Sequence, residues 1–230
     1  SGMLHDVGRF EQIKRYNTFS DADSVDHAKF GADLLFKDGL ISTFLKGMVK
    51  CTGYKPGALE DRYDSDGVFL YDRLNKSDME MLELAIRCHN MYRIPQGLNR
   101  REQAFCNVLR DADKVDIFKV NIDTPLEEIY NTTTEELMKS NITDEVLEAF
   151  DEEHCILKAI RRTPADTVIG HVSLAYELVY DESVRITVEQ GYLAKLMHFH
   201  SDNEETNRKM AMVREKMDSY VKKRIGEKDA

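Results

Sequence analysis

Apolar residues along this chain recur with the three-four spacing of amphipathic helices, and the pattern predicts an organisation that is nearly all helical. Phe30, Leu34 and Leu35 mark one helix between Asp26 and Lys37. Leu82, Ala85 and Ile86 mark a second from Ser77 to Tyr92, and Phe105, Val108, Leu109 and Ala112 a third from Arg101 to Phe118. Thr124-Pro125-Leu126-Glu127-Glu128, Thr134-Glu135-Glu136 and Thr143-Asp144-Glu145 each read as a capping residue followed by acids in the first turn, where they oppose the helix dipole. They predict three short helices. Ala165 to Tyr180 and Val184 to Phe199 are mostly apolar and should pack against the first half of the chain. Asn203 to Ile225 sets Met210, Val213, Met217, Tyr220, Val221 and Ile225 on one face and many Lys and Arg on the other. That is a long amphipathic helix, packing on the body of the protein or in a homodimer. Between the helices, Ser20 to Asp26 reads as a loop ending in a cap supplied by Asp26 or Ser24. Thr52 to Gly67, with Gly53, Pro56 and Gly57, reads as an exposed connection and a candidate lid. Pro95 and Gly97 end the second helix, and Asn99 to Arg101 opens the third.

Ionisable residues stand where these stripes call for apolar ones. His27 lies one turn before Phe30 and Gly31, His89 is the next member of the Leu82-Ala85-Ile86 stripe, and Asp113 and Asp116 continue the stripe of the third helix. Near the start lies an adjacent His5-Asp6 pair. An ionisable group on a buried helix face loses hydration, a penalty of several kcal/mol that pairing or metal coordination must offset. A lone core histidine is usually hydrogen-bonded to a carbonyl, and a lone Asp is usually exposed or ion-paired. The conjunction of four such positions points instead to a metal centre within a helical core.

Four blocks in order, Leu4-His5-Asp6-Val7-Gly8-Arg9-Phe10, His27-Ala28-Lys29-Phe30-Gly31-Ala32, Ala85-Ile86-Arg87-Cys88-His89-Asn90 and Asp111-Ala112-Asp113-Lys114-Val115-Asp116, closely resemble the HD-domain metal-dependent phosphohydrolases. The resemblance covers about the first half of the chain. It implies an all-α fold, an HD-domain helical bundle over residues 1–120 with a helical C-terminal extension over 121–230 packed on it as one unit. It implies metal ligands His5, Asp6, His27, His89 and Asp113, with Asp113 rather than Asp111 matching the terminal aspartate. In two-metal members the intermediate histidines, here His27 and His89, hold a second ion while the Asp6 equivalent bridges both. The family pattern also opens with a further histidine upstream of the His-Asp pair. Only four residues precede His5 in this sequence. Without that ligand and its helix, one ion would keep only His5, Asp6 and Asp113 and bind less tightly.

The implied activity is hydrolysis of a nucleotide or other small phosphate ester, with Asp6 and Arg9 in the catalytic machinery. Arg9 stands where members often carry a basic residue near the phosphate, and a planar guanidinium suits the charge on phosphoryl oxygens. A surface ion pair with Glu11 or an acid of a neighbouring helix is the alternative for it. Lys14, Arg15 and Lys114 are weaker candidates for the same substrate-binding role. Imidazole with carboxylate suits one or two divalent ions of manganese, iron, zinc or cobalt, with magnesium where oxygen dominates. A paired centre would activate water and clamp the attacking and leaving oxygens. Two alternatives are a non-catalytic regulatory domain that binds metal or nucleotide, and a phosphodiesterase acting on a cyclic or dinucleoside substrate.

Composition narrows the partners. The formal charge of -10 with 32% charged residues argues against general nucleic-acid binding, whose footprint would be basic. A phosphorylated metabolite remains compatible, because metals supply local positive charge. No apolar run approaches the ~20 residues that span a bilayer, so a cytoplasmic protein with no membrane association is expected. Cys51, Cys88, Cys106 and Cys155 form no zinc-ribbon spacing and should be reduced. His198 and His200 read as surface residues, and His154 and His171 show no partner pattern.

Overall fold

The structure, a computed structural model, describes residues 4–44 and 76–226, and these are helical with no strand among them. The all-α expectation holds. The Thr52 to Gly67 connection and Cys51 lie outside the described residues. The chain divides into two compact units, Ser1–Leu109 and Arg110–Ala230. Among the described residues no helix is long and apolar enough to cross a membrane.

The first unit contains α1 (Val7–Tyr16), α2 (His27–Ala32), α3 (Lys76–Cys88) and the opening of α4 (Arg100–Asp123). Asp26 starts α2 as expected, its carboxylate accepting from the amides of Ala28 and Lys29 at 3.1 and 3.2 Å. The helix then widens into a π turn over Asp33–Lys37, where the Asp38 amide reaches back to the Asp33 carbonyl at 3.0 Å. α1 crosses α2 at two glycines. A Cβ on Gly8 would sit 2.2 Å from the His27 carbonyl oxygen, and one on Gly31 would sit 2.9 Å from the Gly8 nitrogen. Backbone cannot yield cheaply at such distances, so the glycines bring Asp6 and His27 to neighbouring levels. Arg87 ties α3 to α2, donating to Glu83 and Asp33 and to the Lys29 carbonyl. Ala32, Leu35, Ala85, Ile86, Cys106 and Leu109 form the core beneath. Asn99 opens α4, its side chain accepting from the Arg101 and Glu102 amides while Glu102 accepts from its own amide.

The second unit carries α5 (Leu126–Tyr130), α6 (Thr134–Lys139), α7 (Asp144–Asp151), α8 (Pro164–Val172), α9 (Asp181–Gln190), α10 (Tyr192–Met197) and α11 (Glu204–Ile225). The three short helices expected after Thr124 are α5, α6 and α7. The cap of α6 is Thr133, one residue before the expected Thr134, because Thr133 and Glu136 satisfy each other's amides. α11 buries the predicted face, and each of Met210, Val213 and Met217 gains roughly 1.5–3 kcal/mol from leaving water. Asn203 caps it.

The stripe predicted for α4 is corrected. Val108, Ala112 and Asp116 are exposed, whereas Cys106, Leu109, Arg110, Asp111, Lys114, Phe118 and Asn121 are buried. Four of those inward residues are polar, so reading apolar periodicity alone places the face wrongly. Asp111, Lys114 and Asn121 are hydrogen-bonded locally. The Asp111 carboxylate accepts the Val179 and Tyr180 amides at 3.0 Å, Lys114 donates to the Arg110 carbonyl at 3.4 Å, and Asn121 bridges the Ile117 carbonyl and Tyr130.

Candidate metal centre

Three side chains from separate segments of the first unit converge: Asp6 at the entry of α1, His27 at the first position of α2, and His89 just after α3. Both histidines are buried, as their stripes predict. His27 Nε2 lies 3.1 Å from His89 Nε2 and 3.2 Å from Asp6 Oδ1, and His89 Nε2 lies 3.4 Å from that same oxygen. His5 packs edge-on against the His89 ring at 4.9 Å between centroids, with its Nε2 3.7 Å from Asp6 Oδ2.

The far nitrogens decide what those close approaches mean. His89 Nδ1 is 2.7 Å from the Ile86 carbonyl oxygen, which only accepts, so Nδ1 carries the hydrogen. His27 Nδ1 is 2.8 and 2.7 Å from the two oxygens of Asp21, which again only accept. Each neutral imidazole therefore presents a bare lone pair at Nε2. Asp6 Oδ1 is itself buried with no hydrogen-bond partner. Two nitrogen lone pairs and a carboxylate oxygen thus face one another across little more than 3 Å. A cation relieves that repulsion, either a proton on one imidazole or a metal ion between all three.

No family model, curated protein or solved structure matches this chain. The chemistry of the cluster rests on its own geometry. Asp6, His27 and His89 form one group able to hold an ion. Three donors about 2.1 Å from one ion, at ligand-to-ligand angles of about 95–110°, stand about 3.1–3.4 Å apart. The observed edges are 3.1, 3.2 and 3.4 Å. The residues fit a divalent metal of the imidazole-carboxylate class.

Arg9 lies on the same rim. Its Nη1 donates to the Phe19 carbonyl at 3.0 Å, and its guanidinium stands 3.5 Å from Asp6 and 3.8 Å from Asp21. The ion pair of Glu11 is made instead with Lys14 and Arg15, at 3.2 and 3.0 Å, and the Arg15 guanidinium lies over the Phe30 ring. Burial alone would raise the Asp6 carboxyl. Hydrogen bonds from His27 and His89, made when a proton occupies Nε2, and the charges of His5 and Arg9 outweigh it and hold Asp6 far below the ordinary carboxylate range. For Asp21, too, burial is opposed by the hydrogen bonds from His27 and Gln12, and its carboxyl is lowered.

Asp113 and Lys114, named from the sequence, belong to the second unit. Asp113 is half-buried and Lys114 buried, with desolvation pushing the lysine ammonium below its usual range. Asp111 is committed to two backbone amides, which leaves Asp113 as the better ligand candidate in the Asp-Ala-Asp run. Sequence reading missed Asp21, Gln12 and Asn90. Gln12 is completely buried and its amide lies 3.0 Å from Asp21, 2.9 Å from Ser24 and 3.0 Å from the Val25 carbonyl. Asn90 donates to Asp21 and Asp26. Gln12 had a signal, a polar residue one turn past Gly8 on the inner face of α1. Asp21 had none, since an acid in a Ser/Asp-rich loop is ordinary.

Proposed function

We propose that this protein is a metal-dependent phosphohydrolase acting on a nucleotide or other small phosphate ester, with Asp6, His27 and His89 holding a divalent ion. The observation that carries the reading is the convergence of two imidazole lone pairs and an unbonded carboxylate oxygen within 3.4 Å, both rings being pinned from behind. A divalent ion bound there supplies Lewis acidity and lowers the pKa of water enough to make it a nucleophile at neutral pH. The resemblance of the four sequence blocks to HD-domain enzymes supports hydrolysis as the reaction.

The chain's own residues contribute orientation and charge. Asp6 is the acid at the centre of the cluster, so its substitution removes the one anionic ligand. Arg9 stands beside that carboxylate, with Nε 3.5 Å from Oδ1 and Nη1 donating to the Phe19 carbonyl, and a phosphoryl group drawn to the rim would meet its remaining donors. Lys14 and Arg15, held by Glu11, contribute positive potential at longer range.

Metal analysis after loading with manganese, together with turnover assays on nucleotides, simple monoesters and cyclic dinucleotides, tests the proposal. Stoichiometric metal with monoester turnover, both lost in Asp6→Ala, is the expected result. Bound metal with no turnover of any ester favours a regulatory binding domain. Cleavage confined to diesters assigns a phosphodiesterase. Absence of metal binding by the unmodified chain overturns the centre itself.

A further inference from the structure

Asp21 stands in the short 3-10 turn Asp21–Asp23, outside the residues that could touch the ion. It caps no helix. Both of its oxygens are spent on His27 Nδ1, at 2.8 and 2.7 Å, and the remaining contacts it makes orient it rather than the loop. Gln12 reaches it from inside α1 at 3.0 Å, Asn90 from the residue after His89 at 3.3 Å, and Arg9 flanks it at 3.8 Å. The carboxylate is therefore fixed from the segments that also carry the ligands.

This clamp has a chemical consequence. A carboxylate accepting from Nδ1 locks the imidazole in the tautomer whose lone pair is on Nε2, and it makes that nitrogen a stronger base. Nε2 of His27 is the atom aimed at both Asp6 and His89. His89 obtains the same orientation from a backbone carbonyl, which no substitution can remove. Asp21 is thus the place where a single side-chain change acts on the ligand set without altering a ligand.

We propose that Asp21 is a positioning residue that prepares His27 to bind a divalent cation through Nε2, with Gln12 as the buried anchor that aims it. The inference rests on the metal centre proposed above. If Asp21 merely fastened its loop, its loss would lower the melting temperature of the metal-free protein and leave the affinity of folded molecules unchanged.

Titration of the full chain with cobalt(II), followed by the visible absorption of the bound ion, separates these cases. Asp21→Asn, which keeps shape and an acceptor but loses the charge, should weaken cobalt binding about 10- to 100-fold with little change in the metal-free melting temperature. Asp21→Glu should recover part of that loss. His27→Ala serves as the reference for a missing ligand. Cobalt affinity of Asp21→Asn and Asp21→Ala equal to that of the unmodified chain, while His27→Ala binds weakly, overturns the positioning role and leaves the metal centre standing. An unmodified chain that binds no cobalt, or a His27→Ala variant that binds it equally well, overturns the centre and the positioning role together. Should Asp21→Ala fail to fold, Asp21→Asn alone decides: a 10- to 100-fold loss of cobalt affinity with an unchanged metal-free melting temperature supports the proposal, and an affinity equal to that of the unmodified chain overturns it.

Discussion

Both units close off aspartate oxygens from water, yet the two units treat them in opposite ways. In the second unit Asp166 is completely buried and saturated, accepting from the amides of Thr143, Arg162 and Thr163 and from the Thr143 hydroxyl. Asp111 likewise takes the amides of Val179 and Tyr180. In the first unit Asp6 Oδ1 is buried among atoms that offer it no hydrogen bond. A carboxylate surrounded by amide donors joins pieces of backbone, and its charge is answered within the fold. One whose buried oxygen receives no hydrogen bond keeps a lone pair for something brought from outside. Local donor count, rather than burial or residue type, separates the structural acid from the functional one.

The comparison is sharpest at its structural end. Asp166→Ala removes the acceptor that joins the start of α7 to the start of α8 and leaves three amides without their partner, so it should cost about 3–5 kcal/mol. Chemical denaturation followed by helical circular dichroism measures this. A loss under about 1 kcal/mol would mean that water replaces the carboxylate readily and that Asp166 is no more than a surface acid. Asp6→Ala should behave in the reverse manner. It should lower divalent-metal affinity at least 100-fold, equivalent to about 2.7 kcal/mol, while costing the metal-free protein less stability than Asp166→Ala does, because no backbone amide loses its partner at Oδ1. Equal destabilisation by the two substitutions would erase the distinction.

Gly8→Ala tests whether the cluster depends on helix approach. The added methyl would meet the His27 carbonyl oxygen at 2.2 Å, so α1 and α2 must separate and carry Asp6 away from His27. Overpacking of this kind costs about 1–3 kcal/mol, and metal affinity should fall with stability. Retained affinity would show that the site adapts to a wider crossing.

Much of this was legible in the sequence, and the limits are physical. Helices with a continuous apolar face, α11 above all, and those opened by Asp26, Asn99 or Asn203 announced themselves, since periodicity and caps are local. His27 and His89 were visible because each interrupts an apolar stripe. α4 misled because its inward face is itself half polar, and hydropathy cannot tell a satisfied buried lysine such as Lys114 from a solvated one. Asp21 was invisible for a different reason. Its role is a contact with a residue six positions later and another on α1, and no period in the chain encodes a partnership made by a loop.

The second unit also holds a histidine that departs from the saturation seen at Asp166 and Asp111, and it gives the smallest and most discriminating effect. His171, on α8, is half-buried as a residue, but its Nδ1 is closed off without a hydrogen-bond partner. Burial is the main reason its imidazolium is disfavoured, and the charges of Arg161 and Lys158 add to it, so its pKa is pushed down to about 3. The folded state therefore keeps His171 neutral where the unfolded chain, with a pKa of about 6.5, takes up a proton. Stability from this residue is complete above about pH 6.5 and declines as the pH falls towards 3, because protons then favour the unfolded state. Between pH 6 and pH 5 the unmodified protein should lose about 1 kcal/mol relative to His171→Phe, which cannot take the proton. Comparison of the two metal-free proteins cancels the other titrating groups, those of the first unit included. Parallel stability curves would mean that His171 is protonated in the fold or reached by water, and His171 would no longer depart from the pattern of Asp166 and Asp111, leaving Asp6 as the stronger contrast.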